Sequence, residues 1–337
     1  MSHGGAPAGW LEFSANLNPT GTPGAVAAAI AAASYGRYAD LDPAAAEAHL
    51  AADAGVAPEC VLLTAGATEA IRLIASALVG RGEAVIVGPT YSEYARAIRS
   101  AGGRTVAVDA SRPAFDPPVE RAVALLADGP ATLFLCDPNN PTGRALDPEQ
   151  LRHVLGSLPQ DASIVLDQSF APFSSSSLDA GVCLTAGEVV LVRSLTKVLA
   201  TPGIRLGYVI ARPETIAALR MLQDPWAVGA HAMAAATVAS WTLPLEVYAC
   251  VTSWRERLGA ALPAVGLDPL PSEANFLLVH AGPAAAGLIQ ELAARRIAVR
   301  SCASFGLPEY IRLAVRPPAE QDVLLSALTA ICGEAVR

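Results

Sequence analysis

From about Tyr38 to Trp241 the chain alternates short β-branched or leucine-rich runs with longer stretches of helical character. Few folds satisfy that rhythm. Apolar runs too short for helices become strands buried on both faces, and the stretches between them are long enough to cross back over the sheet as helices. The expectation is an α/β fold, a mostly parallel seven-stranded sheet domain covered by helices, with strands at 61–63, 84–87, 105–108, 132–136, 164–166, 189–192 and 207–210. Asp42-Pro43, Asp147-Pro148 and Arg212-Pro213 each place proline where a first helical turn tolerates it, two of them after a capping aspartate.

Beyond Leu243-Pro244 the pattern changes. A long helix to about Leu262 is followed by strand 275–279, helix 283–295, strands 297–300 and 310–315, and a last helix, which together predict a smaller α+β domain. The segment before Tyr38, with one helix and no obvious sheet of its own, is its expected partner. The expected domains are therefore residues 38–243, and residues 1–37 with 244–337. The serine run 174–177 reads as a surface loop.

Composition narrows the function. With 53% hydrophobic and only 16% charged residues, the chain has little charge to cover the outside of a monomer, so an oligomer is expected. A net charge of −8 and a pI near 5.2 argue against nucleic acid or an anionic membrane as partner. The six cysteines (Cys60, Cys136, Cys183, Cys250, Cys302 and Cys332) are scattered singly and read as reduced core residues. No metal site is expected, because the five histidines (His3, His49, His153, His231 and His280) show no ligand spacing. Met1 to Trp10 lack the basic start and apolar run of a signal peptide, and the apolar stretch 25–33 is too short to cross a bilayer, so a cytoplasmic location is expected.

Open parallel sheets bind ligands beyond the carboxyl ends of their strands, so the residues following each run carry the information. Gly66-Ala67-Thr68 opens a helix whose first amides, with the Thr68 hydroxyl, suit a phosphate; alone it is also an ordinary strand-to-helix turn. Tyr91 can stack on a flat heteroaromatic ring, although a tyrosine beside a turn is by itself uninformative. Asn140 is presented on the rigid turn Asp137-Pro138-Asn139-Asn140-Pro141-Thr142-Gly143, whose prolines and glycine turn chemistry explains equally well. Asp167 can pair with a ring nitrogen or cap a loop. Ser194, Lys197 and Arg205 then supply a hydroxyl, an amine able to form a Schiff base and a fixed cation, which are the groups needed to tether pyridoxal phosphate. In isolation, a lysine after a buried strand simply snorkels to solvent.

Together, Gly66-Ala67-Thr68-Glu69, Pro89-Thr90-Tyr91, Asn140-Pro141-Thr142-Gly143, Asp167, Ser194-x-x-Lys197 and Arg205 resemble the class I/II aminotransferase superfamily of fold type I, in order and spacing over nearly the whole chain. His3-Gly4-Gly5, the run Phe13-Ser14-Ala15-Asn16-Leu17-Asn18-Pro19 and Asp167-Gln168-Ser169-Phe170 resemble threonine-phosphate decarboxylases and their relatives, the histidinol-phosphate aminotransferases. The resemblance implies the fold type I PLP-dependent transferase fold, pyridoxal 5′-phosphate as cofactor and, on the decarboxylase side, cobalamin biosynthesis. It implies that Gly66, Ala67, Thr68, Tyr91, Asn140, Asp167, Ser194, Lys197 and Arg205 bind the cofactor, with Lys197 and Asp167 catalytic. Phe170 stands where the aminotransferases carry a tyrosine, so one hydrogen bond to the cofactor's O3′ is lost. Tyr38 matches a position whose hydroxyl reaches the phosphate from the neighbouring subunit, implying a homodimer with shared active sites.

For an amino-acid substrate, Arg312 matches the family's carboxylate-binding arginine and Arg300 a second arginine near it, with Asn16 and His3 as further contacts. Without the cofactor set, both arginines read as surface residues on strands. The loop Ser301-Cys302-Ala303-Ser304-Phe305-Gly306-Leu307 lacks the cation that decarboxylase-like patterns carry, which points to a smaller or less anionic substrate. The expected activity is decarboxylation or transamination through Lys197, the alternative being a histidinol-phosphate-type aminotransferase with a 2-oxo or aldehyde product. A catalytically silent regulatory relative would show damage at Lys197, Asp167, Arg205 or Asn140, and all four are present. A nicotinamide dehydrogenase is disfavoured, since no G-x-G-x-x-G follows the first run.

Overall fold

The computed structural model describes residues 4–335 except Asp40, Leu41, Asp128, Pro130 and Ser177; His3 lies outside the described residues. In chain order the strands are β1 (Leu11–Glu12), β2 (Val61–Thr64), β3 (Glu83–Gly88), β4 (Arg104–Asp109), β5 (Thr132–Cys136), β6 (Ser163–Asp167), β7 (Glu188–Ser194), β8 (Gly207–Ile210), β9 (Asp268–Pro269), β10 (Phe276–His280), β11 (Ile297–Ala298), β12 (Arg300–Ser301) and β13 (Tyr310–Ala314). Seven of them form one sheet in the order β2-β8-β7-β6-β5-β3-β4. Only β8 runs against the others, pairing antiparallel with both β2 and β7. The α/β fold with a mostly parallel seven-stranded sheet is thus the one the sequence predicts.

Apart from the edge strand β4, both faces of this sheet are dry, and the pleat decides which residues meet which layer. Val85, Val87, Leu133, Leu135, Ile164, Leu166, Val189 and Leu191 pack into one core with helix Pro148–Gly156. Their alternating neighbours Ala84, Ile86, Phe134, Val165, Val190 and Val192 pack into a second core with helices Ala67–Ile74 and Glu93–Ser100. Helix Pro148–Gly156 starts where expected: Asp147 accepts from the backbone N–H groups of Glu149 and Gln150, and the Gln150 side chain answers in a reciprocal capping box.

Past Leu245–Ala261, the strands β12-β13-β10-β9 form a four-stranded antiparallel sheet. Its core joins Leu277, Val279, Ile311 and Leu313 to Leu258, Leu288, Leu292 and Leu324 from helices Leu245–Ala261, Ala285–Ala294 and Pro318–Ala335.

Several local expectations are corrected. The predicted strand 297–300 is two strands: Ile297–Ala298 pairs in parallel with Leu11–Glu12, whereas Arg300–Ser301 joins the antiparallel sheet beside β13. A continuous apolar run cannot reveal a change of partner at Val299, nor that the N-terminal segment supplies β1. Within the serine run Ser175 is exposed as expected, but Ser174 is buried, following the 3-10 turn Ala171–Phe173, and its hydroxyl accepts from Ser176 N–H. Of the cysteines, Cys136, Cys183 and Cys302 are buried, but Cys60 and Cys332 are half-buried and Cys250 is exposed on Leu245–Ala261. Solitary cysteines within apolar text did not distinguish a helix's inner from its outer face.

Candidate active site

The carboxyl ends of β2, β3, β5, β6 and β7 open into a cavity of about 310 Å³, at the small end of ligand pockets generally. Adjacent strands end in register: Cys136 sits opposite Asp167, and both Ser194 and Thr64 sit opposite Gly207. The sheet therefore delivers Asp167 and the Ser194 to Lys197 turn to one mouth. Among the cavity's lining residues are Ala67, Thr68, Tyr91, Asn140, Asp167, Ser194, Lys197 and Arg205, with Asn16, Arg300 and Arg312 from outside the large sheet.

Lys197 lies in the single turn Leu195–Val198 and is the only lysine in the chain. Asn18 clamps that turn, its N–H donating to Lys197 O at 2.8 Å and its Nδ2 to Val198 O at 2.9 Å. Burial, then the cations of Arg312 and Arg205, bring the Lys197 amine down from 10.5 to about 8, against the opposing pull of Asp167. At neutral pH roughly a tenth of such an amine is neutral and nucleophilic, far more than of a free lysine.

Asp167 is buried, and both its oxygens are engaged. Ser169 N–H donates to Oδ1 at 2.9 Å and the Tyr94 hydroxyl to Oδ2 at 2.6 Å. Burial raises its carboxyl, while those hydrogen bonds and Lys197 oppose the rise. Tyr91 lines the cavity and meets the Tyr94 ring edge-on, centroids 5.8 Å apart.

The anion cradle is built from backbone that only glycine allows. Gly66 has φ 80° and ψ 170°, and a Cβ placed on it would come within 2.9 Å of Arg205 Nη2. Gly66 thus brings the first turn of Ala67–Ile74, whose leading N–H groups have no partner within the helix, against the Arg205 guanidinium. Arg205 is itself left-handed at φ 55°, held by its Nη1 donating to Pro202 O at 3.1 Å. Thr68 Oγ1 lies 3.5 Å from the Tyr91 hydroxyl, and Ser194 and Thr196 hydroxyls are 2.9 Å apart.

Across the cavity, Arg300 and Arg312 are direct partners in the β12–β13 register, so both side chains leave the same face. Arg312 is 6% exposed; its Nη1 donates to Asn140 Oδ1 and its Nη2 to Ser14 O at 2.9 Å. Burial lowers it to about 10, which leaves it charged at neutral pH. Its Nε and the Oδ1 of Asn16 are buried without a hydrogen-bond partner, an orphan donor and an orphan acceptor. Arg300 Nη2 donates to Ser304 Oγ at 2.8 Å, with its guanidinium 5.4 Å from the Phe305 ring centre.

Tyr38 stands apart from this cavity. It is 82% exposed and rests against Trp226, ring centres 4.7 Å apart. His3 lies outside the described residues. Among the described residues no group of three His, Cys, Asp or Glu side chains is placed to hold a metal ion, and no helix is long and apolar enough to cross a membrane. The sequence reading missed Tyr94, Cys136, Ser169, Ser14, Gly4 and Phe305, which also line the cavity. Only Tyr94 had a usable signal, three residues beyond Tyr91 and so one helical turn away.

This donor set fits pyridoxal 5′-phosphate on observations internal to the structure. A lone amine of lowered basicity faces a buried carboxylate, and a glycine-enforced anion cradle lies beside them.

The model of the family "Aminotransferase class I and II" matches residues 8–328. The histidinol-phosphate aminotransferase of Symbiobacterium thermophilum is 33% identical, over 96% of this chain and 91% of that protein. The aromatic amino acid aminotransferase of Mycolicibacterium paratuberculosis is 32% identical, over 94% and 90%. Among solved structures, histidinol-phosphate aminotransferase from Sinorhizobium meliloti in complex with pyridoxal 5′-phosphate superposes with TM-score 0.87 at 24% identity, over 96% and 90% of the two chains. L-threonine-O-3-phosphate decarboxylase from Porphyromonas gingivalis gives 0.82 at 25% identity, over 95% and 98%.

Proposed function

The chain belongs to the class I and II aminotransferases, enzymes that work with pyridoxal 5′-phosphate, and from that premise we propose that it transaminates an amino acid or related amine bearing an anionic group. Bound pyridoxal phosphate supplies an aldehyde that condenses with primary amines and a ring that accepts the electron pair released at the substrate's α-carbon.

Every other requirement falls to the chain's own residues. Lys197 Nζ, lowered to about 8, would hold the cofactor's aldehyde and would serve as the base at the substrate's α-carbon. The Asp167 carboxylate would hold a proton on the ring nitrogen. The Ala67 and Thr68 N–H groups, the Thr68 and Ser194 hydroxyls and Arg205 hold the phosphate, while Gly66 lets backbone and guanidinium converge on it. Tyr91, which lines the cavity, would stack on the ring. Asn140 spends Oδ1 on Arg312 and keeps Nδ2 for the phenolic oxygen, where Phe170, packed edge-on against Phe276 with centroids 5.0 Å apart, offers no second donor.

Arg312 takes the substrate's carboxylate or phosphate, its buried unpartnered Nε supplying the donor, with Arg300 beside it and Asn16 Oδ1 accepting from the substrate. The observation that carries the reading is the cavity's charge: among the described residues that line it, Asp167 is the one carboxylate, against Lys197, Arg205, Arg300 and Arg312. We assign the cofactor unit to residues 38–243, and to residues 1–37 with 244–337 the unit that brings up the substrate arginines. We also propose a homodimer in which Tyr38 reaches the partner's phosphate site. Its 82% exposure, beside Tyr35 at 87%, supports that arrangement.

Decarboxylation is the second reading, favoured by Phe170 and by the likeness to the Porphyromonas gingivalis enzyme. A panel of amino acids, O-phosphoamino acids and histidinol phosphate separates the two. Transamination yields a 2-oxoacid or aldehyde with no carbon dioxide, and carbon dioxide release without an oxo product would overturn it.

A further inference from the structure

Tyr94 is 1% exposed, in the first turn of helix Glu93–Ser100, where it lines the cavity. A buried phenol must find an acceptor, and this one donates to Asp167 Oδ2 at 2.6 Å, shorter than a usual neutral hydroxyl contact. The ring is fixed independently of that hydrogen bond, by Phe134 at 5.7 Å and Tyr91 at 5.8 Å between centroids. Phenylalanine would fill the same space, so packing does not require the hydroxyl. With Ser169 N–H on Oδ1, the two donors engage both oxygens and fix the plane of the carboxylate. The titratable groups around this pair are Cys136 from β5, Lys197 beyond β7 and Tyr91 beyond β3.

We infer that Tyr94 is a positioning residue: its hydroxyl keeps Asp167 ionised and oriented, so that the carboxylate can hold a proton on the ring nitrogen of bound pyridoxal phosphate. The inference rests on the assignment of Lys197 and Asp167 to that cofactor. Tyr94 touches no reacting atom in this scheme; it acts through the carboxylate. A hydrogen bond to a buried charge corresponds to a factor of about 10 to 100 in an equilibrium that depends on it. Removing the hydroxyl makes the ring nitrogen's positive charge less stable. Loss of that charge makes the amine linked to the cofactor more basic, since like charges in one π system repel.

The test is Tyr94→Phe in the full-length protein loaded with pyridoxal phosphate, beside Phe134→Leu, which loosens the same packing and leaves the hydroxyl. Cofactor dissociation constant and the pH midpoint of the visible band are read for both, with thermal midpoint as the measure of folding. Tyr94→Phe is expected to weaken cofactor binding about 10- to 100-fold and to move the spectral midpoint upward. Phe134→Leu is expected to lower the thermal midpoint without moving the spectral one. Unchanged binding and midpoint in Tyr94→Phe, or equal spectral shifts in both variants, would overturn the inference. A wild-type protein showing no visible band would instead overturn the cofactor assignment beneath it.

Discussion

Gly66→Ala perturbs the anion cradle at its tightest point. The backbone there, φ 80° and ψ 170°, lies in a region essentially reserved for glycine, and an alanine held in it costs about 1–3 kcal/mol. In a chain of this size that lowers the thermal midpoint by a few degrees. The new methyl would also sit 2.9 Å from Arg205 Nη2, where ordinary contacts begin about half an ångström further out, so the guanidinium must swing aside. Losing one charge-assisted contact to the phosphate costs about 1.5–3 kcal/mol, or roughly 10- to 150-fold in the cofactor's dissociation constant. Fluorescence titration of the apo protein measures the affinity and calorimetry the midpoint. Arg205→Gln provides the control: with no guanidinium to displace, adding Gly66→Ala should cost stability but little further affinity. Wild-type affinity in the single variant, or the same additional affinity loss on the Arg205→Gln background, would refute the reasoning.

Burial raises Asp137 from 3.8 to about 7, the Leu146 N–H on Oδ1 at 2.9 Å opposing it only in part. A raised carboxyl stabilises the fold fully below its unfolded value and loses that contribution as pH rises through 7, so Asp137→Asn should flatten the fall in urea midpoint between pH 4 and 7 and gain on the order of 4 kcal/mol over wild type at pH 8; parallel pH profiles would contradict this. The lowered Lys197 amine predicts that capture of pyridoxal phosphate by the apo protein accelerates about tenfold per pH unit up to about 8 and then levels, as followed by stopped-flow absorbance. A rate still climbing at pH 10 would return Lys197 to ordinary lysine behaviour.

The large sheet was legible because all its strands except the edge strand Arg104–Asp109 are buried on both faces, and most read as apolar runs. Thr132–Cys136 was placed to the residue, whereas Arg104–Asp109 extended one residue past each end of its apolar core. The gathering of these residues was legible for a related reason: a parallel sheet gathers its strand ends, so Thr68, Asn140, Asp167 and Lys197 line one cavity although they span 130 residues. What the one-dimensional pattern concealed were partnerships. Leu11–Glu12 is too short to announce itself, and the break at Val299 exists only because two different sheets claim its neighbours. Tyr94 lay one helical turn from Tyr91, but an aromatic residue on a helix is usually core, and only the fold reveals that its hydroxyl meets Asp167. One plain signal was also passed over. Of 23 cationic Lys and Arg residues just one is lysine, and it sits where an amine is chemically required.

That single lysine makes the decisive measurement clean. Protein incubated with pyridoxal phosphate, reduced with borohydride, digested with trypsin and weighed should carry the reduced cofactor on the peptide 194–205, uncut after Lys197, with the visible band gone and the α-amino terminus unmodified. Cofactor fixed elsewhere, or a band that survives in Lys197→Ala, would contradict the assignment of this cavity as the catalytic centre.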